Sequence, residues 1–378
     1  MDKLGIGIVG AGAIAINAAL EHLSLDDVQD RVHLAAICDP VEGRARAAAE
    51  KYGVAAHYLT LEELLADNNV DAVTMCSPIG IHFEQGMAAI EAGKHIHFNK
   101  TMCTTVDEAD KLIDAAAAKG VKLVSSPGEM LRPYNVRLRK LIQEGRLGAP
   151  LWAYCLACMS HYHTHEKVRH GDGPLGNIDP SWYYKKPAGG PVYDGTAYSL
   201  HALTGLVGAA KSVTAVSGLA IKEREYRGRK IECEMDDTTF MLLDFGNGFF
   251  AFSGGAVLGD LPRNPTIFGI RGTIKGTAFT PNVDDALDAT FGKAGEPIQM
   301  EEEGDHQPHV VGMHNKLKEK HVFEDIMQLV DWVREDKPSI ATAEHARHVV
   351  EIIECAYRAA ETGRVQQLRT TYEPPDML

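Results

Sequence analysis

Leu4-Gly5-Ile6-Gly7-Ile8-Val9-Gly10-Ala11-Gly12-Ala13-Ile14-Ala15 decides the fold of this chain. The short apolar run Leu4–Val9 reads as a buried strand. A G-x-G-x-x-A string, Gly10 to Ala15, follows at once and leads into a helical stretch through Ala18 and Leu23. The first glycine permits a tight strand-to-helix turn, the second lets a pyrophosphate approach the backbone, and the small third position allows close helix–sheet packing. The anion then rests on unpaired N–H groups at the helix N-terminus. Gly10, Gly12, Ala13 and Ile14 are therefore candidate dinucleotide-binding residues. A second apolar run, Val32–Cys38, ends at Asp39. Asp39 follows Gly10 by 29 residues, more than the usual spacing of about 20, and the connection 24–31 takes up the extra length. An acid there hydrogen-bonds both ribose hydroxyls and repels a 2′-phosphate, which favours NAD over NADP; Arg44 nearby weakens that preference.

Outward from this stretch, strand and helix alternate. The segment 42–52 is Ala-rich and helical, closed by Gly53. Thr60-Leu61-Glu62-Glu63 and Thr105-Val106-Asp107-Glu108 are capping boxes, in which a hydroxyl caps the N3 amide while the carboxylate reaches back. Strands are expected at 72–76, 95–98 and 121–124, and helices at 83–92 and from 106 to Gly120. Strands separated by helices of this length pair in parallel with right-handed crossovers. A doubly wound parallel sheet is thus expected over residues 1–127.

Residues 128–378 have another rhythm. A helix closes at Gly145, and a strand-like run covers 151–159. A polar and aromatic loop then extends to Gly190, and a helix spans about 194–207. Strand runs follow at 212–221, 238–245, 249–253 and 267–271, and Asn247-Gly248 between two of them is the strongest short hairpin signal. The second half should carry an open, mainly antiparallel sheet, with closing helices at 322–334 and 344–362.

Composition narrows the classes. The chain has 378 residues, 45% hydrophobic and 24% charged, with a net charge of −14. That length accommodates about two domains. The acidic balance argues against general nucleic-acid binding and against docking on an acidic membrane. No membrane-length apolar run is present. Seven scattered cysteines and no leader-like N-terminus suggest a reduced, cytoplasmic protein.

The chain resembles the Gfo/Idh/MocA family of sugar and cyclitol dehydrogenases. The residues that carry the resemblance are the glycine loop, Val70-Asp71-Ala72-Val73 with Ser77-Pro78 and His82, Gly93-Lys94-His95-Ile96 leading to Lys100, Gly145-Arg146-Leu147-Gly148, Gly189-Gly190, and Ala356-Tyr357-Arg358 with Glu361-Thr362-Gly363-Arg364. The resemblance implies an N-terminal Rossmann domain and a C-terminal α/β domain whose open sheet forms a homodimer or homotetramer interface. It also implies cofactor contacts at Ser77, Pro78, His82, Asn99 and Lys100. Asn99-Lys100-Thr101 stands where the family has Glu-Lys-Pro; the lysine is kept, and the geometry that the proline sets is in question. Asp194 and Tyr198 match the family's Asp-x-x-x-His, with tyrosine as in the glucose–fructose oxidoreductase and dihydrodiol dehydrogenase branches.

Physical reasoning reaches the same residues. Asp194, Tyr198 and His201 are spaced i, i+4, i+7 on one helix face. Removing hydride from a secondary alcohol needs a group to take the hydroxyl proton. Tyrosine titrates near 10, and an ammonium at Lys100 with an oxidised nicotinamide would lower that value. Lys100 is itself a candidate base if desolvation lowers its own pKa. Lys100 and Tyr198 are the expected acid/base pair, Asp194 the orienting acid and His201 an alternative base. Glu129, Arg132, His163, Trp182 and Tyr198 are candidate substrate residues; Arg132 reads equally as an ion partner between domains.

Other motifs have plainer readings. Cys155 and Cys158 form a C-x-x-C inside a strand, so the thiols face opposite ways, and no metal is expected. His161-Tyr162-His163-Thr164-His165-Glu166 reads as a substrate loop, a solvated loop or, least, a metal site. The leading function is NAD-dependent oxidation of a secondary hydroxyl, or reduction of the ketone, on a sugar, glycoside or cyclitol. An NAD-requiring glycosidase working by transient C3 oxidation and elimination, and a non-enzymatic nucleotide-binding regulator, are the alternatives.

Overall fold

The structure, a computed structural model, describes residues 3–159, 166–260, 262–282, 292–372 and 374. The histidine-rich stretch 161–165, His163 included, lies outside the described residues.

Six strands form the first sheet: β1 (Leu4–Val9), β2 (Val32–Cys38), β3 (Ala56–Tyr58), β4 (Ala72–Met75), β5 (His95–Phe98) and β6 (Leu123–Ser125). All neighbours pair in parallel in the order β3-β2-β1-β4-β5-β6, the doubly wound dinucleotide-binding order. The apolar runs that marked these strands are buried on both faces, as β1 is at all six positions. The connecting helices are α1 (Leu20–Leu23), entered through a π-helical turn at Ala15–Ala19, α2 (Arg44–Tyr52), α3 (Leu61–Leu65), α4 (His82–Glu91) and α5 (Val106–Lys119). Both capping boxes are formed, at Thr60 with Glu63 and at Thr105 with Glu108.

The rest of the chain adds α6 (Pro133–Gln143), β7 (Pro150–Cys158), α7 (Ala197–Val207), β8 (Ser212–Gly218), β9 (Glu223–Tyr226), β10 (Arg229–Glu232), β11 (Thr238–Gly246), β12 (Phe249–Ala256), β13 (Thr266–Gly269), β14 (Gly272–Lys275), β15 (Ala278–Pro281), β16 (Ile298–Gln299), α8 (Lys320–Glu335), α9 (Ala343–Thr362) and β17 (Gln366–Gln367). Among the described residues, nine of these strands form a sheet in the order β16-β15-β14-β13-β7-β12-β11-β8-β17. Only the β7–β12 pair is parallel, so the mainly antiparallel expectation is met. Asn247 and Gly248 make the β11–β12 turn, both at positive φ, as a type I′ hairpin turn requires. The short β9–β10 hairpin stands apart as a two-stranded sheet.

Three apolar layers hold these parts together. One lies between the second sheet and α6, α7 and α9. The second covers one face of the parallel sheet, where Val322, Phe323, Ile326, Met327 and Val330 of α8 pack with Ile6, Ile8 and Ile37. The third covers the other face with α4 and α5, joined by Ala343, Ala346 and Val350 of α9. The last two helices thus return to the first sheet. Among the described residues none gives the outer face of the nine-stranded sheet such cover: Trp152, Val216, Leu242 and Phe250 are exposed on it. All seven cysteines are free, and no described helix is long and apolar enough to cross a membrane.

Candidate active site

The strand order reverses between β1 and β4, and a cavity of about 1080 Å3 opens there at the carboxyl ends of the strands. The glycine loop forms one wall. Gly10 has a φ of +88°, and a Cβ on it would lie 3.1 Å from the Cys76 carbonyl and the Ser77 nitrogen, so another residue would be strained in backbone and crowded by that turn. At Gly12 a Cβ would meet only the Cys76 oxygen, at 4.0 Å, so its missing side chain leaves the helix N-terminus open to a ligand. Ala13, Ile14, Ser77, Pro78 and Asn99 line the same cavity.

Asp39 lies at the end of β2 as expected, buried, and its carboxylate accepts from the Ala11 and Val41 amides, each at 2.9 Å. Arg44 stands 3.5 Å from it and also donates to the Pro174 and Asn177 carbonyls. His82 is not in the cavity wall. Its Nδ1 faces the Thr101 carbonyl and its Nε2 the Ser77 carbonyl, so it ties together the two loops that border the cavity. Burial lowers its pKa, so the ring is neutral and donates from one nitrogen at a time.

Lys100 follows β5 in a loop whose Lys100–Thr101 peptide bond is cis although no proline is present. Its ammonium donates to Asp194 and sits 5.2 Å from the centre of the Tyr198 ring. Burial alone would strip its proton, but the Asp194 carboxylate outweighs that with help from Tyr198 and Tyr183, and the pKa is raised. Lys100 is therefore held as a cation, and desolvation does not make it a base. At Tyr198, without the dinucleotide, Lys100 alone does not prevail. Burial raises the tyrosine's pKa and outweighs the opposing Lys100 charge, so the residue is a neutral phenol.

A π-helical turn, Val192–Thr196, leads into α7 and carries Asp194; such turns often mark functional sites. Asp194 and Tyr198 both line the cavity. His201 does not. It sits three residues deeper on α7, about 4.5 Å along the axis, buried with its ring 4.5 Å from that of His345. Burial brings its pKa down to about 3. The expectation of His201 as an alternative base is corrected by this placement: helical spacing put it on the right stripe but one turn too far from the cavity.

Arg132 and Trp182 line the cavity, whereas Glu129 is buried behind it and accepts two hydrogen bonds from Arg132, at 2.8 and 3.1 Å. Three further residues in the wall escaped the sequence reading. Tyr183 lies near Lys100 and Asp194, whose charges act on it. Arg263 places its guanidinium 4.7 Å from the Tyr198 ring centre. His321, at the start of α8, is hydrogen-bonded to the Tyr198 hydroxyl at 2.9 Å. No local pattern announced His321, because Tyr198 lies 123 residues earlier. Cys155 is buried and Cys158 partly exposed on β7, and no cluster with metal-binding composition occurs among the described residues.

The comparisons with known proteins bear on the family and the fold. A model described as "Oxidoreductase family, NAD-binding Rossmann fold" matches residues 4–126, and one described as "Oxidoreductase family, C-terminal alpha/beta domain" matches residues 139–368. The chain belongs to the Gfo/Idh/MocA oxidoreductase family. Within that family it is similar to the scyllo-inositol 2-dehydrogenase (NADP(+)) of Bacillus subtilis, 25% identical over 97% of both chains. It is also similar to the D-glucoside 3-dehydrogenase of Escherichia coli, 28% identical over 65% of this chain and 68% of that one. An oxidoreductase domain protein from Kribbella flavida shares the fold, with a TM-score of 0.76 at 22% identity over 98% of this chain and all of that one. Gfo/Idh/MocA membership thus fixes the architecture and the oxidoreductase class.

Proposed function

We propose that this protein transfers hydride between a nicotinamide dinucleotide and a secondary hydroxyl, or the corresponding ketone, of a sugar, glycoside or cyclitol. The observation that carries the reading is the meeting of Lys100, Asp194 and Tyr198 in one cavity with the glycine loop. The names of the inositol and glucoside relatives support the polyol class.

The donor set suits the dinucleotide. Gly10, Gly12, Ala13 and Ile14 would receive the pyrophosphate at the open helix N-terminus, Asp39 the adenosine ribose, and Ser77, Pro78 and Asn99 would flank the nicotinamide half. Bound there, the dinucleotide supplies a hydride acceptor or donor. The chain's own residues do the rest. The Lys100 ammonium, held by Asp194, faces the substrate oxygen and stabilises the negative charge that develops on it. The Tyr198 hydroxyl exchanges a proton with that oxygen. Arg132 and Trp182 border the substrate end. NAD is the preferred form in this reading. Asp39 repels a 2′-phosphate, and Arg44 is engaged with Asp39 and two carbonyls. The NADP(+) named for the Bacillus relative marks the alternative that a direct comparison decides.

We also infer that two copies associate through the outer face of the nine-stranded sheet. Trp152, Tyr154, Phe268, Phe250 and Phe252 adjoin there in register, with Trp152 stacked on Phe268 at 4.4 Å. A continuous apolar patch of this kind is unusual on a monomer.

The test is a spectrophotometric panel of sugars, inositols and glycosides with NAD and NADP. Net NADH formation with at least one polyol is expected, and Lys100→Ala should lower kcat on that substrate by about 10²-fold or more. Full activity in Lys100→Ala would show the assignment to be wrong.

A further inference from the structure

A neutral phenol cannot accept the substrate's proton unless its own proton has somewhere to go. Lys100 offers no acceptor, since it is a cation held by Asp194. The Arg263 guanidinium over the ring has no acceptor atom either. The one acceptor that the described residues bring to the Tyr198 hydroxyl is His321 Nε2, at 2.9 Å, with the two rings edge to face at 74°. On the far side of the imidazole, Nδ1 stands 3.7 Å from Glu319 Oε2, and the Glu319 side chain is 41% exposed against 12% for His321. Tyr198, His321 and Glu319 therefore follow one another along the cavity wall, and Glu319 is more exposed than His321.

We propose that His321 is the proton relay of Tyr198, passing the substrate's hydroxyl proton from the phenol toward Glu319 and water. The inference rests on the dehydrogenase reading above. In the oxidative direction the substrate O–H bond breaks and its proton bonds to Tyr198 Oη. The phenolic O–H breaks in the same step, and that proton bonds to His321 Nε2. The carbinol hydrogen leaves with its electron pair as hydride to the oxidised dinucleotide, and the carbinol becomes a carbonyl. The imidazolium beside Glu319 then releases its Nδ1 proton to water. Nε2 can accept only if Nδ1 carries the hydrogen at rest; release from Nδ1 leaves the Nε2–H tautomer, and proton exchange with water returns the ring to Nδ1–H before the next turnover.

The surroundings suit that cycle. His321 is faced by Tyr198 from α7, Lys100 from the loop after β5, His97 from β5, Arg132 from the segment before α6, Arg263 from the loop after β12, and Glu319 from its own turn. Burial, then Arg132, Lys100 and Arg263, keep its pKa well below the ordinary histidine value. It is thus neutral at neutral pH and a weak base, so it can hold the proton only in passing. Its transient charge is high in energy and readily lost, with Glu319 the anion beside it.

Two measurements decide the matter. In the cofactor-free protein, nitrogen NMR of the histidine rings, assigned through the backbone, should find His321 as the Nδ1–H tautomer and untitrated from pH 6.5 to 9. An Nε2–H tautomer, or an imidazolium at pH 7, overturns the relay whatever the activity. In turnover on a substrate found by the panel, wild-type kcat should be flat from pH 7 to 9. His321→Gln, which keeps a hydrogen-bond acceptor but no base, should be slower by about 10²-fold at pH 7. Its kcat should rise roughly tenfold per pH unit as phenolate forms. Imidazole added to His321→Ala should restore part of the rate. A His321→Gln enzyme with the wild-type kcat and profile overturns the relay while leaving the dehydrogenase reading intact. A wild-type protein that reduces no dinucleotide with any polyol removes that reading itself.

Discussion

Asp39 shows how much of a site one residue can carry. Its carboxylate accepts from the Ala11 amide inside the glycine loop and from Val41 on its own turn. It therefore shapes the loop, and in the proposed reading it also receives the ribose. A hydrogen bond to a charged group contributes about 1.5–3 kcal/mol. Asp39→Ala should accordingly weaken NADH binding by roughly 10- to 100-fold, read by fluorescence titration, and shift the NAD/NADP affinity ratio toward NADP as Arg44 loses its anionic neighbour. Unchanged NADH affinity would remove Asp39 from the ribose site. The residues of the candidate site that could be read from sequence are those announced locally: the glycine loop and Asp39 by their place at strand ends, and Lys100, Asp194 and Tyr198 by their place in family motifs. His321, Arg263 and Tyr183 reach the cavity through the tertiary fold alone. No motif marks His321 or Arg263, and Tyr183 follows Trp182, which the sequence did single out. The protonation states were likewise not legible, because whether burial or a neighbouring charge prevails depends on distances that no spacing reveals. Asp194 prevails at Lys100 and burial prevails at Tyr198.

Elements were legible where one local cause dominates. β1 and β2 occupy the segments their apolar runs predict, and the Asn247-Gly248 turn joins β11 to β12 as read. β3, β9 and β14 were missed because, unlike the comparably short β4, they carry no mainly apolar run. The π-helical turn before α7 was also invisible, because nothing in 192–196 departs from an ordinary helix pattern. α5 shows the strongest local specification. Thr105 accepts from the Glu108 amide while Glu108 accepts from the Thr104 and Thr105 amides, and the Val106 amide donates to Glu354 of α9. Removing the hydroxyl leaves an orphaned amide at the helix start. Thr105→Ala should cost about 1 kcal/mol, seen as a lower denaturant midpoint with an unchanged slope. An unaltered midpoint would mean that Glu108 and Glu354 hold the terminus unaided.

On the scale of the whole molecule, a net charge of −14 coexists with a cluster of Lys100, Arg132 and Arg263 around one phenol. The overall balance hides the place where cations matter. The apolar outer sheet is the face through which we propose that two copies meet. Trp152→Glu sets a charge in the middle of that face and should convert the assembly to monomers in sedimentation analysis, with the fold intact by circular dichroism. A variant that sediments like the wild type would place the interface elsewhere.

The return of α8 to the first sheet has a consequence in time. Synthesis completes the parallel sheet at β6, but the helix that covers Ile6, Ile8 and Ile37 emerges about 200 residues later. At about 5–20 residues per second that gap is on the order of 10–40 s. For that interval the part of the sheet face that α8 covers is bare while α1 and α2 already pack on the rest, and protection of that part falls to the ribosome's surroundings rather than to the chain.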